Sequence, residues 1–160
     1  MNNRYICKAK RKDSGEWVEG LFSIRNFAGR EYYAIERREK RILSRISCDS
    51  QWTMQPYEVI TETVEQCTTL TDKNGKLIFT GDILHIKTGK GWSCPIGTDI
   101  YYKVVFTKFN MECHSCTEYI GFMAERSSGS LSSIYYIVTS YGAEVIGNIH
   151  DNRELLEAER

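Results

Sequence analysis

At 160 residues, with 41% hydrophobic and 26% charged side chains, the chain is long enough to bury a core without staples, and its composition excludes a wholly disordered chain. The formal net charge is zero, which excludes the strongly basic balance of a typical nucleic-acid-binding domain. Ten tyrosines and three tryptophans against two prolines favour strands, because aromatic side chains pack well on a pleated, half-buried surface.

The charge is unevenly placed. Residues 1–47 carry twelve Lys and Arg against six Asp and Glu, whereas residues 48–160 carry nine against fifteen. Such a split suits an acidic partner for the first half, head-to-tail self-association, or attraction between the halves of one fold; a solvated charged face is the simplest reading. No apolar run approaches the roughly 18 residues of a membrane span. The opening Met1-Asn2-Asn3-Arg4-Tyr5 lacks the apolar stretch of a secretory signal. A cytoplasmic protein, with its six cysteines as free thiols, is the expectation.

In chain order, residues 4–11 read as a strand with Tyr5, Cys7 and Ala9 on one face and Lys8 and Lys10 on the other. Asp13-Ser14-Gly15 supplies turn chemistry, and residues 16–24 form the second arm of a hairpin, with Val18, Phe22 and Ile24 in step. Residues 32–38 read as a strand. The basic stretch 37–45 has Ile42 and Ile46 at helical spacing, with strand as the alternative. Residues 61–70 are strand-like and lead into Asn74-Gly75, a signal for a type I′ hairpin turn. Strands are further expected at 83–86, 100–109, 118–124, 134–139 and 144–149, with 87–97 as a Gly-rich loop. Asp151 or Asn152 is placed to cap a short C-terminal helix that Leu155 and Leu156 anchor. Short strands separated by frequent turns point to a mainly β barrel or roll.

Three blocks carry a family resemblance. They are Lys10-Arg11-Lys12-Asp13-Ser14-Gly15-Glu16-Trp17-Val18-Glu19-Gly20; Glu62 to Gln66 through Leu70-Thr71-Asp72-Lys73-Asn74-Gly75-Lys76 to Gly81-Asp82-Ile83; and Val145-Ile146-Gly147-Asn148-Ile149-His150-Asp151-Asn152-Arg153-Glu154-Leu155-Leu156. In order and spacing the sequence resembles the YopX family of phage and prophage proteins. The resemblance implies an SH3-like β-barrel or roll with additional strands. It implies one domain over 1–160, with a possible subdivision into 1–60 and 61–160 and a variable insertion at 87–143. The shared positions Trp17, Asn74, Gly75, Gly81, Asp82, Gly147, Asn148 and Asn152 look fold-specifying, and no catalytic residue is carried over. Where the family usually has Thr-Gly-Leu this chain has Thr68-Thr69-Leu70, which makes the backbone less permissive there.

Candidate chemistry is sparse. Cys113 and Cys116 have the Cys-x-x-Cys spacing of half a zinc site, but no second pair completes four ligands, so no metal is expected. Three histidines, His85, His114 and His150, are scattered without a nucleophile. Asp72 and Asp82 suit turn hydrogen bonds better than acid–base work. No cofactor and no enzymatic activity are expected. The reading is an accessory protein that binds a protein partner or assembles with itself. The alternative is nucleic-acid binding through Lys8, Lys10, Arg11, Lys12, Arg37, Arg38 and Arg41, with Tyr5, Trp17, Tyr32 and Tyr33 nearby.

Overall fold

The computed structural model describes residues 5–40, 52–89, 95–110 and 118–157. Contacts divide it into two compact units, Met1–Cys67 and Thr68–Arg160. Strands dominate, in two antiparallel sheets, and neither sheet closes into a barrel.

In the first unit, β1 (Ile6–Lys10), β2 (Trp17–Phe27), β3 (Arg30–Lys40), β4 (Trp52–Glu58) and the start of β5 (Glu65–Thr71) lie in the order β4-β3-β2-β1-β5. The Asp13-Ser14-Gly15 turn forms as its sequence dictates: Gly15 takes φ 73° and donates its N–H to the Arg11 carbonyl at 2.9 Å. Alternation then buries Ala9, Val18, Ile35 and Val59, with Cys7, Tyr33, Tyr57 and Val64 packed on them. Residues 37–40, where helical spacing was one reading, are strand and pair with β4; residues 41–45 lie outside the described ones.

Two local features of this sheet carry no strong sequence signal. Phe27 pairs with Arg30, leaving Ala28 and Gly29 at φ 52° and 77°. That is the backbone of a two-residue type I′ turn, here without Asn-Gly or Asp-Gly. At Gly20, an added Cβ would fall 2.2 Å from the Glu36 carbonyl oxygen. Only glycine lets the two strands cross so closely. The strand expected from residue 61 begins later, because Thr61–Thr63 is a 3-10 turn. Its Thr63 hydroxyl accepts from the Lys10 N–H at 2.9 Å and donates to the Ile60 carbonyl at 2.6 Å.

The second unit contains the end of β5, β6 (Leu77–Phe79), β7 (Asp82–Lys87), β8 (Asp99–Asn110), β9 (Glu118–Glu125), β10 (Leu131–Ser133), α1 (Ile134–Tyr141), β11 (Glu144–Asn148) and α2 (Glu154–Glu157). Its five-stranded sheet runs β10-β9-β8-β7-β11. Ile78, Leu84, Ile86, Ile100, Tyr102, Val104, Ala124 and Val145 form the core with Ile134 and Ile137 of α1. Each fully buried aliphatic side chain contributes about 1.5–3 kcal/mol. Phe106, in step with Ile100, Tyr102 and Val104, is instead more than half exposed, edge-on to Phe122.

Residues 134–139, expected as strand, are helix. Ser133 caps α1 by accepting from the Tyr136 N–H, and Gly142 ends it at φ 59°, ψ 47°. The spacing of Ile134, Ile137, Val138 and Tyr141 puts all four against the core. β-branched and aromatic residues favour strands, but packing one apolar helical face overrides that preference.

The Asn74-Gly75 turn also differs from its expectation. Gly75 alone takes positive φ, at 81°. Its N–H bonds to the Asp72 carbonyl at 3.0 Å while the Asp72 N–H reaches the Lys76 carbonyl at 2.8 Å. This is a type I turn closed by a left-handed glycine, the three-residue hairpin loop.

Thr69 sits at φ 69°, a conformation that costs an L side chain roughly 1–2 kcal/mol and suits β-branched residues least. Thr69→Gly, which loses roughly 0.5–1 kcal/mol through chain entropy, should still raise stability by about 0.5 kcal/mol and shift the urea midpoint upward. A lower midpoint would show that the Thr69 side chain makes contacts that outweigh the strain.

Candidate interaction surface

Lys8 is buried, and its Nζ lies 3.1 Å from Glu65 Oε2. The same ammonium stands 4.8 Å from the centroid of Trp17, with that of Lys10 at 5.6 Å. Arg11 forms a two-pronged bond with Asp13, at 2.9 and 2.6 Å, and its guanidinium stacks 4.3 Å above Tyr57. Lys12 and Arg30 both reach Glu58, at 2.8 and 3.1 Å. The Lys12 hydrogen bond holds the Glu58 carboxyl below its usual range. Arg25 pairs with Glu36 at 2.6 Å. Arg37 is exposed and lines an open groove with Ile6, Trp17, Glu19 and Gly20. Arg38 lies in β3 opposite Met54, and Arg41 is outside the described residues.

The structure therefore brings Lys8 and Lys10 to Trp17 and Trp17 and Arg37 to one groove, but ties Lys8, Arg11 and Lys12 to carboxylates. A cation already paired with a carboxylate must give up that partner before it neutralises a phosphate, which weakens the electrostatic basis of nucleic-acid binding.

A different surface had no place among the candidate residues. β2 pairs with β1 only from Trp17 to Leu21, yet continues to Phe27. β4 likewise pairs with β3 only from Ala34 onward. Among the described residues the intervening tip is a two-stranded ribbon. Ile24 is 60% and Phe27 76% exposed, and Phe22 stacks on Tyr33 with 6.0 Å between ring centroids. One signal was visible in the sequence: residues 21–27 place apolar side chains on both faces of the strand, through Leu21 and Phe27 on one and Phe22 and Ile24 on the other. A sheet with a single core cannot cover both.

The residues shared with the family cluster in the second unit. Asp72 is buried and accepts from the N–H groups of Asn74 at 2.8 Å, Lys76 at 2.9 Å and Val145 at 3.1 Å. Asn74 donates from its amide to Glu144 at 3.3 Å. Gly81 takes φ 80° and exchanges main-chain bonds with Val104 and Ile149. Buried Asp82 accepts from the Phe79 N–H at 2.8 Å and the Asn148 amide at 3.1 Å. An added Cβ at Gly147 would meet Asn152 Oδ1 at 2.6 Å. Asn152 contributes its carbonyl to the first turn of α2, accepting from Leu155 at 3.1 Å.

Asp72 and Asp82 are thus held by separate sets of donors, as turn chemistry requires. His85 bonds to Asp99 at 2.7 Å and tilts against Tyr101. Cys113, His114 and Cys116 lie outside the described residues. Among the described residues no group of three or more potential metal ligands occurs, and no helix is long and apolar enough to cross a membrane.

Fold and surface together define a two-unit antiparallel β protein whose shared residues are turn and corner positions. The family model described as YopX protein matches residues 17–157, and the chain belongs to the YopX family. The crystal structure of protein EF1440 from Enterococcus faecalis is similar to it at 20% identity, over 94% of this chain and 96% of that one, with a TM-score of 0.42. Comparison with curated proteins gave no match.

Burial pushes the Asp72 carboxyl up, but the three N–H bonds from Val145, Lys76 and Asn74 outweigh it and hold the group below its ordinary value. A depressed folded-state value adds stability that is complete above the unfolded value, roughly 3.9, and is lost as pH falls through the folded one. Asp72→Asn turns an amide toward main-chain donors. It should cost about 1.5–3 kcal/mol at neutral pH and flatten the acid limb of stability below about pH 4. Urea unfolding at several pH values checks both; an unchanged acid limb would remove Asp72 from this role.

Proposed function

We propose that this protein is a non-catalytic interaction module of a phage or mobile element, working in the host cytoplasm and assembling with a second copy of itself through the β2–β3 ribbon. The observation that carries the reading is the continuation of β2 past Leu21, where among the described residues no strand pairs with its β1-side edge. An uncovered strand edge is a template for another strand, and a two-fold axis lets one edge serve both copies.

Self-complementarity supports a second copy as the occupant. Antiparallel pairing of this edge with itself about Ile24 sets Ile24 against Ile24, Phe22 against Asn26 and Arg25 against Ser23. No like charges meet, and the apolar side chains continue on one face. The five-stranded sheet of the second unit, with β11 returning beside β7, is read as the SH3-like roll implied by the family.

The nucleic-acid reading is weaker because Lys8, Arg11 and Lys12 are engaged by carboxylates. Steeply salt-dependent binding of a labelled oligonucleotide, abolished by Lys10→Gln with Arg37→Gln, would put it first instead.

Sedimentation across a wide concentration range should show a monomer–dimer equilibrium. Ile24→Lys, which places like charges opposite each other, should weaken it at least about tenfold, or ~1.4 kcal/mol, without changing the circular dichroism spectrum. A wild-type chain that stays monomeric throughout would overturn the reading.

A further inference from the structure

Val18 marks the core face of β2, so Leu21, Ser23, Arg25 and Phe27 share the opposite face. Their partners on β3 are Glu36, Ala34, Tyr32 and Arg30. Arg25 reaches past its own partner to Glu36, with Nη2 2.6 Å from Oε1. Because Glu36 stands opposite Leu21, the Arg25 side chain runs back over the Ser23–Ala34 pair, and Ala34 is fully buried.

Two polar atoms of this fold-back, Ser23 Oγ and Arg25 Nε, are buried without a hydrogen-bond partner among the described residues. Both residues stand beyond Leu21, where β1 no longer accompanies β2. A buried polar atom that bonds neither water nor protein is costly, and native structures rarely leave one. The two atoms are chemically complementary. A guanidinium Nε–H only donates, whereas a serine oxygen accepts through two lone pairs and turns about a single bond.

A second copy laid antiparallel on this edge satisfies both. Pairing centred on Ile24 sets Ser23 of each copy opposite Arg25 of the other, on one face, with Cβ atoms roughly 4.5–5.5 Å apart. Centring on Ser23 would set serine against serine and Leu21 against Arg25, and centring on Arg25 would oppose two guanidinium groups. Of these registers, the Ile24 centre joins donor to acceptor, and symmetry makes it do so twice. Neither atom has bound water to lose, so the bonds form without the exchange that offsets most hydrogen bonds.

We propose that reciprocal Arg25–Ser23 hydrogen bonds fix the register of the self-assembled ribbon. The Nε–H of Arg25 in each copy donates to Ser23 Oγ of the other, while Nη2 stays on Glu36. A strand slipped along the edge loses both bonds, which makes the contact selective for a second copy of this sequence. Self-assembly through the ribbon is presupposed, and the register is what these two residues add.

Cysteine cross-linking and sedimentation of the full chain test it. Ile24→Cys should give a disulfide-linked dimer under copper-catalysed air oxidation, above the background of the native cysteines, because opposed central residues lie within disulfide reach. Ser23→Cys, whose two copies are offset along the strands by roughly 7–8 Å, should not. Ser23→Ala should weaken dimerisation at least about fivefold. In dilute, monomeric protein it should leave the urea midpoint undiminished, since the hydroxyl it removes has no partner there. Arg25→Lys, whose single ammonium cannot serve Glu36 and Ser23 of the other copy as a fork does, should weaken the dimer to a similar extent. The double variant should be little weaker than either alone. A wild-type chain that never dimerises would overturn the self-assembly reading and the register together. A dimer that cross-links through Ser23→Cys rather than Ile24→Cys, or that keeps full affinity in Ser23→Ala and Arg25→Lys, would overturn the register alone.

Discussion

The buried Asp72 carboxylate holds the second unit in register. Burying a charge costs several kcal/mol unless hydrogen bonds replace its water, and here three main-chain N–H groups do so. Two belong to the adjacent turn, and the third, from Val145, lies 73 residues further along the chain. One side chain thus both shapes the β5–β6 turn and fixes where β11 begins. Asp82 repeats the device at the other end of β11 by bonding Phe79 and Asn148. The core packs between these two anchored ends.

The first unit solves a different problem. It carries most of the basic residues, and its carboxylates are placed to meet them: Glu65 for Lys8, Asp13 for Arg11, Glu58 for Lys12 and Arg30, Glu36 for Arg25. Apart from the buried Lys8–Glu65 pair, surface pairs of this kind add little stability, roughly 0–1 kcal/mol each. They nevertheless lower the local field that a free basic patch would project. Among the described residues this unit also leaves apolar area exposed on a strand pair longer than its neighbours, and such ribbons gain from association.

Much of the fold was legible because local chemistry and tertiary context agree. The Asp13-Ser14-Gly15 turn and the alternation through Ile100, Tyr102 and Val104 form as read, and Gly81 and Asp82 stand at the corner where the sequence put them. α1 was misread although its signals were present. Ser133, Gly142 and apolar residues at 134, 137, 138 and 141 make a capped amphipathic helix, but β-branched and aromatic composition pointed to strand. The Ala28-Gly29 turn was illegible because alanine seldom adopts positive φ; the pairing of eleven-residue strands on either side imposes it.

The sequence by itself determined the class of fold, the family, and those turns whose residues form hydrogen bonds with their immediate neighbours. These depend on interactions within a few residues, which spacing records. Tertiary structure alone decided which cations stay paired and, among the described residues, how far β1 accompanies β2. Each of these depends on which strands lie side by side and in what register, and a two-residue period fixes a strand's faces without fixing its neighbours.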